Sequence, residues 1–128
     1  IETGAIDLVA ARADKNDFEA MEKAIESMAL KVERAESCVL EDLEFHQALV
    51  HSTHNPVLSQ FSLTLQEFFE ISISEGLHAT VSSPTVLNEH RQIYQALREK
   101  NVTRCKALMD MHLRRYYFAQ FQEGERTQ

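Results

Sequence analysis

The chain has 128 residues, 20 Asp and Glu against 13 Lys and Arg, and a formal charge of −7. That length holds one domain with a single core, and the acidic balance excludes a nucleic-acid backbone or an anionic membrane surface as the partner of this segment. Apolar residues at 44% and charged residues at 26% describe a folded globular chain, and no apolar run approaches the roughly 20 residues of a membrane-spanning helix. Two cysteines, Cys38 and Cys105, are too few for a disulfide framework and lead us to expect a reducing cytoplasm. The first residues, Ile1-Glu2-Thr3-Gly4, carry no basic stretch before an apolar one and no starting Met. We therefore expect no signal peptide and a piece of a longer protein.

Three glycines and two prolines are too few turn residues for a β-rich fold of this length. The expected fold is all-α, with about six helices. The first runs to about residue 13 through Ile6, Leu8, Val9 and Ala10. Asp14 caps the second, with Asp17 three residues on; its apolar positions Phe18, Met21, Ala24, Ile25 and Met28 carry it to about residue 32. The third covers about 36–53. Asn55-Pro56 starts the fourth, which runs to about residue 75 with Gly76 as a stop signal. A polar loop over 79–83 leads to Ser83-Pro84 and the fifth helix, to about residue 100. Asn101 caps the sixth, which reaches about residue 122, and residues 123–128 form a frayed tail. Short connections between long helices imply an antiparallel bundle, over 1–122, with no internal linker.

Helical wheels, at about 100° per residue, place several polar residues on apolar faces. In the third helix Val39, Leu43, Leu49 and Val50 define the apolar arc, extended by Phe45. Asp42 and His46, spaced i and i+4, fall inside it, while Glu41 and Glu44 lie opposite. In the fifth, His90 sits at the centre of the arc of Val86, Leu87, Ile93, Tyr94 and Leu97. In the sixth, His112 lies within the stripe of Val102, Cys105, Leu108, Met109, Leu113, Tyr116 and Ala119. A lone His on an apolar face is ordinarily a core residue with one hydrogen-bond partner. Three such histidines and an aspartate are different, because a buried carboxylate costs several kcal/mol unless it is paired or coordinated. A divalent metal ion removes that cost, and neutral imidazole with carboxylate suits Zn²⁺, with Ni²⁺ or Mn²⁺ also accepted by such a set. The alternative is an Asp–His pair beside two unrelated histidines; the metal site is the stronger reading. His51 and His54 are expected in solvent, and Cys105 as a small apolar residue.

The stretches Asp42-Leu-Glu-Phe-His46, Asn55-Pro56-Val-Leu58, Glu89-His90-Arg-Gln-Ile93 and Met111-His112-Leu113 resemble the FCD domain, the C-terminal effector domain of FadR-subfamily regulators in the GntR family. The resemblance runs over essentially the whole chain. It implies a helical bundle with a central cavity, where Asp42, His46, His90 and His112 hold a metal whose open positions meet a small effector, often a carboxylate or sugar acid. It further implies dimerisation through this domain, and DNA binding only through an N-terminal winged helix-turn-helix that this chain lacks. One departure concerns the effector: no Lys or Arg occurs from Val57 to Glu89, where the resemblance implies an arginine for the carboxylate. The candidates left to line a pocket are Ser72, Ser74 and His78, with Thr64 and Gln66 as further ones. A hydroxyl-rich effector gains weight accordingly.

Two classes of function follow. The first is a binding module: a metal-dependent sensor of a small metabolite in a bacterial transcription regulator. The second is a helical metalloenzyme that uses the His3Asp set to activate water, but no general base stands beside the motif residues. The fourth helix is apolar over most of its circumference, with Val57, Leu58, Phe61, Leu65, Phe68 and Phe69 on one arc and Leu63, Ile71 and Ile73 elsewhere. Such a helix is buried on more than one side, against its own chain or against a second copy; the resemblance favours a homodimer.

Overall fold

The computed structural model describes the backbone of residues 2–74 and 84–113, and the side chains of these except at 2, 3, 61, 65, 68–74 and 113. Over these residues it holds six helices and no strand: α1 (Glu2–Arg12), α2 (Lys15–Glu33), α3 (Val39–His51), α4 (Pro56–Ser74), α5 (Pro84–Arg98) and α6 (Val102–Leu113). The expected Gly76 stop, the loop over 79–83, the extension of α6 to residue 122 and the tail lie outside the described residues.

The helix starts follow from local chemistry. The Asp14 carboxylate accepts from the Asp17 amide and the Asp17 carboxylate accepts from the Asp14 amide, both at 2.9 Å. This capping box satisfies two orphan donors at once. The Asn55 side-chain oxygen accepts from the amides of Val57 and Leu58 at 3.0 and 3.3 Å, with Pro56 in the first helical position. Asn101 caps α6 through the Arg104 amide at 3.1 Å.

The ends of α2 and α5 are less legible, because neither uses glycine. Ala35 and Lys100 adopt left-handed φ values of 55° and 57°. After α2, the Glu36 amide donates to the Lys31 carbonyl at 2.8 Å and the Ala35 amide to Val32 at 3.1 Å. After α5, the Asn101 amide donates to Ala96 at 2.8 Å and Lys100 to Leu97 at 3.0 Å. Both pairs are Schellman closures. The first corrects the sequence reading of α3. Residues 34–36 are used to close α2, so α3 starts at Val39 rather than Glu36.

Five helices close into a ring. α2 packs on α3 and α5, α6 on α5 and α1, and α1 returns to α3, while α4 lies along α3 outside the ring. The interior takes Ile6 and Val9 from α1, Met21 and Met28 from α2, Phe45 from α3, Ile93 from α5, and Cys105 with Met109 from α6, all fully buried. Each large side chain contributes about 1.5–3 kcal/mol by leaving water. Ion pairs and rings tie the outside. Lys106 reaches Asp7 at 2.7 Å, Phe18 meets Tyr94 edge to face at 6.1 Å, and the Tyr94 hydroxyl donates to Glu22. Among the described residues no helix is long and apolar enough to cross a membrane.

The left-handed backbone at Lys100 generates a prediction. An L side chain there costs about 1–2 kcal/mol relative to glycine, partly offset by the roughly 0.4–1 kcal/mol that glycine adds to unfolded-chain entropy. Lys100→Gly is therefore expected to stabilise the domain by about 0.5–1 kcal/mol. Urea unfolding should show a higher midpoint at unchanged slope; a lower midpoint contradicts the assignment.

Candidate metal centre

The centre of the ring is polar. Asp42 and His46 stand one turn apart on α3, so their side chains share a face. His90 comes from the middle of α5 and His112 from the end of α6. Exposure is 5% for Asp42, 6% for His46, 0% for His90 and 1% for His112. Their candidate ligand atoms all lie within 4.8 Å of one another. Asp42 Oδ1 is 2.8 Å from His90 Nε2 and 3.4 Å from His46 Nε2, and His46 Nε2 is 3.2 Å from His112 Nε2. Neighbouring donors around one ion at about 2.0–2.2 Å stand roughly 2.8–3.6 Å apart. The structure thus brings together all four residues singled out in the sequence, which an Asp–His pair with two unrelated histidines does not predict.

The electrostatics of the set point the same way. Asp42 Oδ1 and both ring nitrogens of His90 are buried without a hydrogen-bond partner. The 2.8 Å approach of Asp42 to His90 therefore lacks hydrogen-bond alignment. Burial pushes the Asp42 carboxyl up, but the close imidazoles of His46, and then of His90, outweigh it and hold the group well below the usual carboxylate range. Burial lowers His90 to about 4 against the upward pull of Asp42, so its imidazole is neutral at neutral pH with a lone pair to give. A buried carboxylate oxygen with no donor, next to the neutral His90 imidazole and the rings of His46 and His112, is a donor set that fits a divalent first-row ion. This cluster could hold one.

Ring packing sets the planes of the imidazoles. Phe45 stacks on His90 with centroids 4.2 Å apart at 15°, and His46 stacks on His112 at 5.2 Å and 14°. His90 meets His46 and His112 edge-on at 5.4 and 5.1 Å.

One residue of the centre escaped the sequence reading. Glu89 is 5% exposed, and its Oε2 lies 2.5 Å from His112 Nδ1. On the wheel of α5 it falls about 40° beyond Ile93 and about 20° short of Ala96, both buried. Counting Ala96 as part of the apolar face would have placed Glu89 inside.

The effector candidates are not gathered in the same way. Gln66 is half-buried, accepts from Gln47 at 2.7 Å, and lines a cleft of about 320 Å³ with Gln47, His51, Ser59, Ser62 and Leu63. Thr64 is exposed on α4, its hydroxyl directed to the Gln60 carbonyl at 3.4 Å. The side chains of Ser72 and Ser74, and all of His78, lie outside the described residues.

His51 is exposed, as expected. His54 is also exposed, but it is not free in solvent as the sequence suggested. Its Nε2 donates to Asp17 Oδ2 at 2.7 Å, tying the turn after α3 to the cap of α2. Burial pushes the Asp17 carboxyl up, but its bonds to the Asp14 amide and to His54 leave it lowered overall. Cys105 is a buried thiol raised to about 11 by burial, which suits a packing role.

Comparison with known proteins places this geometry. The FCD domain profile matches residues 1–115. The galactonate operon transcriptional repressor of Escherichia coli (strain K12) is 27% identical over 93 residues, covering 72% of this chain and 41% of that protein. Among solved structures, Streptococcus agalactiae GntR has a TM-score of 0.69 at 25% identity, over 88% of this chain and 50% of that one. E. coli McbR/YncC has a TM-score of 0.74 at 15% identity, over 95% and 59%, a likeness of fold alone. The chain spans about half the length of the relatives it matches. With a matching profile over nearly its whole length and relatives that are GntR-family transcription regulators, this chain belongs to the FCD domain family.

Proposed function

We propose that this chain is the effector-sensing domain of a cytoplasmic, GntR-family regulator, and that it holds one divalent metal ion through Asp42, His46, His90 and His112. The observation that carries the reading is the convergence of four buried donors from three helices on one point, with an oxygen of Asp42 and both nitrogens of His90 left without hydrogen bonds. Zn²⁺ is the first choice for three imidazoles and a carboxylate, ahead of Ni²⁺ and Mn²⁺. A bound ion supplies an electrophilic anchor for an anionic oxygen. Around it, this chain's own residues exclude water and fix ring orientation.

The proposed ligand is a small carboxylate of the sugar-acid class. The name of the E. coli relative concerns a galactonate operon, and galactonate is a hydroxyl-rich carboxylate. The stretch 57–89 contains no Lys or Arg, so that stretch offers no cation for the effector's charge, whereas a polyol is met by hydroxyl and amide side chains. Effector binding would then bias DNA contact by an N-terminal winged helix-turn-helix domain. The enzyme reading has no observation in its favour: the only further carboxylate placed against the set, among the described residues, is bonded to His112 rather than directed at an open position.

Dimerisation completes the proposal. On α4, Val57 is 77% and Leu63 53% exposed. Two large apolar residues in water on one helix suit cover by a second copy.

Two outcomes are expected. Metal analysis after equal loading should give one ion per wild-type chain and much less for His90→Ala, with thermal stability falling in parallel, because an ion bound only to the folded state stabilises by mass action. Equal metal content in both proteins would show that the site is wrong. Sedimentation at tens of micromolar should give twice the 14.7 kDa chain mass, and Leu63→Glu should shift it toward one; a wild-type monomer contradicts the dimer.

A further inference from the structure

We infer that Glu89 is a positioning residue for the metal set, holding His112 in the one tautomer that turns a bare Nε2 toward Asp42, His46 and His90. The inference rests on the metal-binding reading above. Its grounds are geometric. A carboxylate oxygen can only accept, so the 2.5 Å contact between Glu89 Oε2 and His112 Nδ1 requires the hydrogen on Nδ1. In a neutral imidazole the lone pair then sits on Nε2, the atom 3.2 Å from His46 Nε2 and within the cluster. The opposite tautomer would set two lone pairs against each other at Nδ1 and cover the donor atom with a hydrogen.

Burial makes the arrangement restrictive. Glu89 and His112 are 5% and 1% exposed, so water does not freely replace the contact, and a buried carboxylate needs its partner. Position on the helix does the rest. Glu89 and His90 are adjacent on α5 and point about 100° apart. One turn of α5 thereby supplies a donor of its own and the outer partner of a donor from α6. Outer partners of this kind typically change metal affinity by about 10–100-fold.

The test uses the full chain and Co²⁺ as probe, competed against a chromophoric chelator, with wild type, Glu89→Gln and Glu89→Ala. Glu89→Ala is expected to weaken Co²⁺ binding by about 10–100-fold. Glu89→Gln, whose amide oxygen accepts the same Nδ1 hydrogen, should recover most of that loss. In the apo wild type, long-range ¹⁵N–¹H spectra should show His112 with its hydrogen on Nδ1. Equal Co²⁺ affinity in all three proteins overturns the inference while leaving the metal site intact, as does a hydrogen on Nε2 of wild-type His112. A wild-type chain that takes up no Co²⁺, Zn²⁺ or Ni²⁺ sinks the metal reading itself, and this inference with it. The tautomer measurement needs no variant, so a misfolded Glu89→Ala protein does not protect the idea.

Discussion

The constraint on which the rest of this structure depends is the burial of the Asp42 carboxylate. An ionised oxygen taken out of water costs several kcal/mol unless something nearby replaces its hydration. Asp42 is 5% exposed and held well below the usual carboxylate range, so it stays charged inside the domain. Its neighbours are imidazoles at 2.8 and 3.4 Å, one of them neutral and without a hydrogen bond. Three of the five ring helices contribute to this accommodation. α3 brings Asp42 with His46, α5 brings His90 with Glu89, and α6 brings His112. An ordinary apolar core would use none of these residues. Replacing a polar set by packed hydrophobic side chains is often neutral or stabilising, so its presence speaks for a ligand rather than for stability.

The ring of helices is what makes such a centre possible. Five helices packed mainly on their neighbours in the ring leave a middle that side chains fill. Aromatic faces do part of this, with Phe45 against His90 and His46 against His112. These stacks restrict ring rotation and so keep the nitrogens aimed inward. The same layout couples the centre to the periphery. His112 lies at the end of α6, which packs on α1. α1 in turn touches α3, where the centre begins. The centre is thus joined to the N-terminal helix by contiguous packing.

Much of this was legible in the sequence, for identifiable reasons. Period-3.6 patterns were readable in α2, α3, α5 and α6 because their apolar residues recur on one face, and Asp14, Asn55 and Asn101 marked helix starts because their side chains bond the first amides. Asp42, His46, His90 and His112 stood out because each is a polar residue well inside an apolar arc. Glu89 did not, because it sits at the margin of its arc, beside Ala96, and only the three-dimensional approach of α6 gives it a partner. The start of α3 was misplaced because Ala35 enters the left-handed region without glycine, which composition cannot reveal. His54 looked like a solvated residue for a similar reason. Its partner Asp17 lies 37 positions away, and nothing local points to it.

The central claim, that Asp42, His46, His90 and His112 ligate one divalent ion, is tested most directly by X-ray absorption on the Zn²⁺-loaded full chain. The account predicts a first shell of N and O atoms at about 2.0–2.2 Å, with outer-shell scattering from three imidazoles that drops to two in His112→Ala. A spectrum with no imidazole scattering, or one unchanged by loss of His112, would contradict it.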